Sequence, residues 1–224
     1  MSTKYGGVVK GLRIKNKLSQ AEVAGRLGIS RPSYIAIEQG KRELTMGEFE
    51  KLSGILGVSF EELESGEIPN YDKYRQMILA FLRLNKNITK TKLAKLLYLA
   101  DFSWFYTHLQ SMSGMQYRRI TYGPVADSYF RLIDEMQDAG EIAIDHAIDG
   151  AMRISQTRGG AKADISGISA EERVLIEKVD KKWRGAKTAA IVEFTHRQLP
   201  YMLAEDNQIV SYDVFTQEDP QDIY

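Results

Sequence analysis

Apolar residues recur at helical spacing along most of this chain, and small polar residues or glycines cut the pattern into short pieces. Val8, Val9, Leu12 and Ile14 mark a first amphipathic helix. Ser19 stands before the run Val23, Ala24, Leu27, with Glu22 three positions on. In that spacing the serine accepts from a first-turn amide while the glutamate reaches back to the cap, which opens a helix. Gly28 ends it, because the left-handed backbone needed there costs glycine little. Ser30 caps a second helix, in which Pro32 is tolerated since first-turn N–H groups lack intrahelical partners anyway. Ile35 and Ile37 straddle its inward side and Gly40 closes it. The turn at 28–30 is so short that the two helices must cross steeply, as in a helix-turn-helix. Thr45 and Glu48 open a further helix through Phe49, Leu52, Ile55 and Leu56, stopped by Gly57, and Ser59 with Glu62 caps another before Leu63. The expectation is a five-helix domain over residues 1–66.

Breakers at Gly66, Pro69 and Asn70 put a linker at 67–73. A second domain, 74–215, then opens with Tyr74, Met77, Ile78, Phe81 and Leu82 on one helical face, broken at 85–87. Thr89 or Thr91 caps a longer helix carrying Leu93, Leu96, Leu97, Ala100, Trp104 and Phe105. A short extended segment is expected at 117–122, a turn at Gly123 and Pro124, and a helix from Val125 past Tyr129, Leu132, Ile133 and Met136 to Gly140. Residues 141–157 read as a hairpin, Ile142 and Ile144 against Met152 and Ile154, turning near Asp149 and Gly150. Residues 158–168 are glycine-rich and expected to be a mobile loop. Ser169 and Glu172 open a helix through Leu175, Ile176, Val179 and Trp183, and a last helix spans about 187–197. The fold class is mainly α, α+β overall, with one small β element, and 216–224 is an acidic tail.

The 224 residues suffice for two modest domains, and 43% hydrophobic content supports packed cores. No apolar run approaches a membrane span, and the N-terminal residues lack a signal-peptide pattern. The absence of cysteine excludes disulfides, thiolate metal sites and thiol nucleophiles. A cytoplasmic protein without membrane contact is expected.

Charge is distributed unevenly. Residues 1–45 hold nine Lys/Arg against three Glu, a net of +6, in a chain that is formally neutral. A localised cationic surface is what phosphate contacts require. With LSQAEVAGRLGIS followed by IEQGKR, residues 7–66 resemble the phage-repressor type of helix-turn-helix, the Xre family. The resemblance implies double-stranded operator DNA as partner, bound by a homodimer. By position, Arg31, Pro32, Ser33 and Ala36 would face the major groove, and Gln20 a phosphate. Arg31 can fork to guanine O6 and N7, whereas Pro32 and Ala36 offer only apolar contact. Lys41 and Arg42 would meet phosphates. Tyr34 either packs or reaches the DNA backbone, and Glu38 serves the fold, since a carboxylate would repel phosphate.

KLAKLLYLADFSWFY, then ITYGPVADSYFRLIDEM, then FTHRQLPYMLAEDNQIVSYDVF resemble the Panacea domain of SocA-like antitoxins, over about 72–215. The resemblance implies an antitoxin that blocks a protein toxin encoded nearby by direct binding, without chemistry. Joined to a DNA reader, it implies repression of its own operon. Trp104, Tyr117, Arg118, Arg119, Tyr122 and Tyr129 are the candidate toxin-binding residues. Aromatic and arginine side chains anchor interfaces, although core packing explains the aromatics equally well. Residues 205–224 carry six carboxylates and no Lys/Arg, a solvated end or a match for a basic toxin surface.

Catalysis finds little support. His108, His146 and His196 fit no ligand spacing, Asp101 seven residues before His108 included, and there is no phosphate-binding or nucleophile-elbow motif. No cofactor, metal or catalytic residue is expected. A phage-type repressor whose second domain oligomerises or senses a ligand is the alternative function.

Overall fold

The computed structural model describes residues 5–58, 63, 68–147 and 150–224. The chain divides into two compact units, Met1–Pro69 and Asn70–Tyr224.

In the first unit, α1 (Tyr5–Lys15), α2 (Gln20–Leu27), α3 (Arg31–Glu38) and α4 (Met46–Leu56) enclose one core. Val9, Leu12, Val23, Leu27, Ile37 and Leu52 lie in it, and Leu63 packs against them. The caps expected from sequence are formed. Ser19 and Glu22 exchange their bonds at 3.2 and 2.7 Å, Thr45 and Glu48 do the same, and Gly28 and Gly57 take the left-handed cap conformation. The box at Ser59 and Glu62, and with it the fifth helix, falls outside the described residues apart from Leu63.

The second unit is built around α6 (Lys90–His108), which follows α5 (Tyr71–Leu84) and strand β1 (Ile88–Thr89). Helix α6 is not amphipathic. Leu93, Leu96, Leu97, Tyr98, Leu99 and Phe102 cover its whole circumference and are buried, as expected of a central helix. Strand β2 (Tyr117–Arg118) pairs with β3 (Val125–Ala126). α7 (Tyr129–Asp138) leads to β4 (Ile142–His146) and β5 (Met152–Gln156). α8 (Arg158–Lys162), α9 (Ala170–Trp183), α10 (Thr188–Arg197), α11 (Leu199–Leu203) and α12 (Tyr212–Phe215) complete it. The three-stranded sheet runs β1-β5-β4, all antiparallel, with Ile144 opposite Ile154 and Ile88 on its other side.

Several expectations are corrected. Residues 71–73, taken as linker, form the first turn of α5 with Asn70 accepting from the Lys73 amide at 3.0 Å. The helix expected from Val125 starts at Tyr129, because Val125 and Ala126 pair with Arg118 and Tyr117. Residues 158–162 are helical, not loop: Thr157 accepts from the Gly160 amide and donates to Gly140 O. A Cβ at Gly160 would stand 2.1 Å from Glu141 O, so glycine there serves close packing. The hairpin forms in the expected register, though Asp149 lies outside the described residues.

The tail at 216–224 is not a solvated end. Gln198 Nε2 donates to Asp222 O at 2.8 Å, Ser103 Oγ to Ile223 O, Lys182 to Tyr224 O, and the Leu199 amide to the Glu218 carboxylate. No helix among the described residues is long and apolar enough to cross a membrane.

Candidate nucleic-acid interface and partner surface

The first unit carries its cations outward. Lys10, Lys15, Lys17, Arg26, Arg31 and Lys41 are exposed, while Arg13 turns inward to Glu38. That pair is the anchor of α3. Arg13 Nε meets Glu38 Oε1 at 2.5 Å, Gln20 Nε2 donates to Glu38 Oε2 at 2.9 Å, and Arg13 Nη1 bonds Leu18 O. Burial works to raise the Glu38 carboxyl, but the hydrogen bonds from Arg13 and Gln20, with Tyr34 beside it, outweigh burial and hold it below the usual range. Glu38 thus clamps α1, α2 and α3 together and stays charged.

On the outer side of α3, Arg31 and Pro32 are exposed, and Ser33 and Ala36 are half-buried. The Ser30 cap accepts from the Ser33 amide at 3.3 Å and bonds its hydroxyl at 2.9 Å. Arg31 Nη2 lies 3.4 Å from Gln20 Oε1, so Gln20 joins the Glu38 clamp to the Arg31 guanidinium. Lys41 is exposed beyond the helix, whereas Arg42 donates to Glu48 at 2.8 Å and is only partly open. Tyr34 is a correction: it is fully buried, its phenol pushed up by burial with Glu38 alongside, and it belongs to the core. Gln39, unremarked in the sequence, is exposed and continues the stripe of Arg31, Ile35 and Ala36. Its place one turn beyond Ile35 was the signal that could have found it.

The six residues proposed for a partner surface separate. Tyr117 and Tyr129 are corrections, being buried within the second core. Tyr117 donates to Asp101 at 2.7 Å and Tyr129 to Lys90 O at 2.7 Å. Arg118 makes two 2.9 Å bonds to Asp127 and reaches Asn207 O. Arg119 stacks 4.7 Å over Tyr201, bonds Ala204 O and pairs with Asp206. Both arginines therefore tie β2 to the segment 201–209. Tyr122 is 68% exposed and borders an open groove of about 580 Å³ with Val192, Glu193 and His196. Trp104 is half-buried and stacks on His108, ring centres 3.7 Å apart.

Asp101 is fully buried and accepts from the Ser113 amide at 2.8 Å and from the Ser113 and Tyr117 hydroxyls, which consumes it structurally. His196 stacks on Tyr201 at 4.3 Å and is held below the ordinary imidazole value by burial, then by Lys95 and Arg119. Among the described residues no three His, Asp or Glu side chains are placed to hold a metal ion. Lys95 is fully buried, donates to Pro124 O at 2.8 Å, and is pushed down to about 7 by burial. Gly123, at φ +90°, lies against it, so that a Cβ there would meet Lys95 Cε at 2.8 Å.

Comparison with known proteins divides along the same boundary. Residues 9–63 match the helix-turn-helix family model, and residues 93–200 match that of the antitoxin SocA-like, Panacea domain. Relatives of the first unit include the cryptic phage CTXphi transcriptional repressor RstR of Vibrio cholerae, 32% identical over 31% of this chain and 62% of that protein. The uncharacterised HTH-type transcriptional regulator YqaE of Bacillus subtilis is 42% identical over 26% of this chain and 51% of its own length. Control protein C.MunI of a Mycoplasma species is 38% identical over 28% of this chain and 85% of its own length. The chain thus spans 62% and 51% of the first two relatives. No solved structure matches.

Proposed function

We propose that this chain, which belongs to the helix-turn-helix family at its front and carries an antitoxin SocA-like, Panacea domain behind it, is the antitoxin of a type II toxin–antitoxin pair. The Panacea-like unit, about 74–215, neutralises a partner toxin encoded nearby by direct contact. The helix-turn-helix unit binds operator DNA as a dimer, represses the operon, and places the protein in the cytoplasm with that DNA. In this reading α3 enters the major groove. Arg31 reads a guanine, Pro32, Ser33 and Ala36 line the groove, and Gln20, Lys41 and Arg42 meet phosphates.

The observation that carries the proposal is the joint presence of both families on one chain, each on its own compact unit. Co-expression tests it. The product of an adjacent gene should be toxic alone and harmless with this protein, and should remain harmless when only the DNA reader is inactivated. If no neighbouring product is toxic and rescued, the proposal fails.

The phage repressor among the relatives supports a second reading, a transcriptional repressor whose second unit oligomerises or senses a ligand. It predicts operator binding that changes with a small molecule and not with a toxin.

A further inference from the structure

Two segments of the second unit pack together without a single cation between them. Residues 96–117 and 198–224 contain no Lys or Arg, while the latter carries Glu205, Asp206, Asp213, Glu218, Asp219 and Asp222. They meet through aromatic contacts: Phe102 stacks on Tyr212 at 4.1 Å, Phe105 lies 5.1 Å from Tyr212, and Tyr106 lies 6.3 Å from Phe215. Ser103 holds the strap further along. The acidic residues of 212–224 are thereby laid beside the last turns of α6, with Lys182 and Arg197 only at the far edge, near Tyr224 and Asp222.

At the end of α6 stands Leu109. It is 71% exposed and holds φ +54°, a left-handed conformation that a bulky side chain rarely adopts and glycine adopts freely. Stability alone favours glycine here, and solubility favours a polar residue. A strained, exposed leucine one turn from the Trp104–His108 stack has the character of an interface anchor. The acidic strap on its other side sets the chemistry of what it meets.

We infer that the C-terminal end of α6, with Leu109 and Trp104 as apolar anchors and Asp213, Asp219 and Asp222 as an acidic rim, is the surface that docks the toxin, and that the matching toxin face is cationic with an apolar recess. The inference rests on the antitoxin reading above and names its contact surface. The acidic rim steers a basic partner and repels nucleic acid, so this surface and the DNA-reading helix carry opposite signs and select different partners.

The probe is the protein encoded next to this chain, purified and titrated against full-length wild type and variants. Leu109→Gly should weaken binding at least tenfold while the melting temperature holds or rises, because glycine relieves the backbone. Asp213→Lys with Asp219→Lys and Asp222→Lys should also weaken binding at least tenfold and flatten its dependence on salt, whereas Asp138→Lys, outside both segments, should not. If wild type binds and neutralises the neighbour and these variants do so equally, the surface is wrong and the antitoxin reading stands. A fall in melting temperature accompanying the Leu109→Gly loss would mark Leu109 as structural and also overturn it. A wild-type chain that neither binds nor neutralises overturns both.

Discussion

Replacing Lys95 by methionine should change how the stability of the second unit depends on pH. The ammonium is buried with no carboxylate against it, and burial moves its folded-state value from 10.5 to about 7. Between those values the unfolded chain binds a proton that the folded chain has released, so wild-type stability rises with pH through that window. Below about 7 both states are protonated and the full cost of the buried charge remains. Linkage at ~1.4 kcal/mol per unit, rounded off near the folded value, gives a gain of roughly 2 kcal/mol from pH 7 to pH 9. Lys95→Met cannot titrate, so the difference between variant and wild type should shrink by about that amount across the range. The lost bond to Pro124 O adds a constant penalty of about 1–2 kcal/mol that leaves the slope untouched. Both tryptophans, Trp104 and Trp183, lie in this unit, so urea unfolding followed by tryptophan fluorescence at pH 7, 8 and 9 reports it alone. Parallel stability curves for the two proteins would refute the reasoning.

Arg31→Ala should relax operator choice at one base pair at a cost of about 1–3 kcal/mol, measured by selection from randomised duplexes, and unchanged choice would remove Arg31 from base reading. Lys41→Ala should weaken all duplexes alike and lower the salt slope of binding in titrations at several ionic strengths. Glu38→Ala leaves Arg13 without its carboxylate inside the first unit and should cost about 3 kcal/mol, seen as a lower first transition in calorimetry. Gly123→Ala meets both a left-handed backbone and Lys95 Cε, and should destabilise the second unit by about 2 kcal/mol in the tryptophan assay.

Local rules made the first unit legible. Ser19, Ser30, Thr45 and the glycines after α2 and α4 act within four residues of themselves, so the sequence displays their partners. The second unit hides what depends on distant partners. Val125 and Ala126 look like a helix start until β2 claims them, and Ile88 becomes a strand only because Ile154 waits beside it. Tyr34, Tyr117 and Tyr129 carried the aromatic signature of binding residues, but an aromatic ring at helical or strand spacing looks the same whether it faces core or solvent. Arg118 and Arg119 were legible as polar and illegible as braces for 201–209, since those bonds span more than eighty residues. Leu109 carried no signal at all, because its strain resides in the backbone.

The reach of the pairings also orders events during synthesis. In the first unit the Asn16 side chain closes on Leu56 O, forty residues away. In the second, β1 must wait for Ile154 and Lys73 for Glu172, ninety-nine residues downstream. A chain leaving the ribosome therefore finishes its groove-reading half well before its other core can close, both because it emerges first and because short-range topologies fold faster. Translation that stalls midway would release a protein able to occupy a promoter yet powerless against a poison, silencing the gene pair without disarming it.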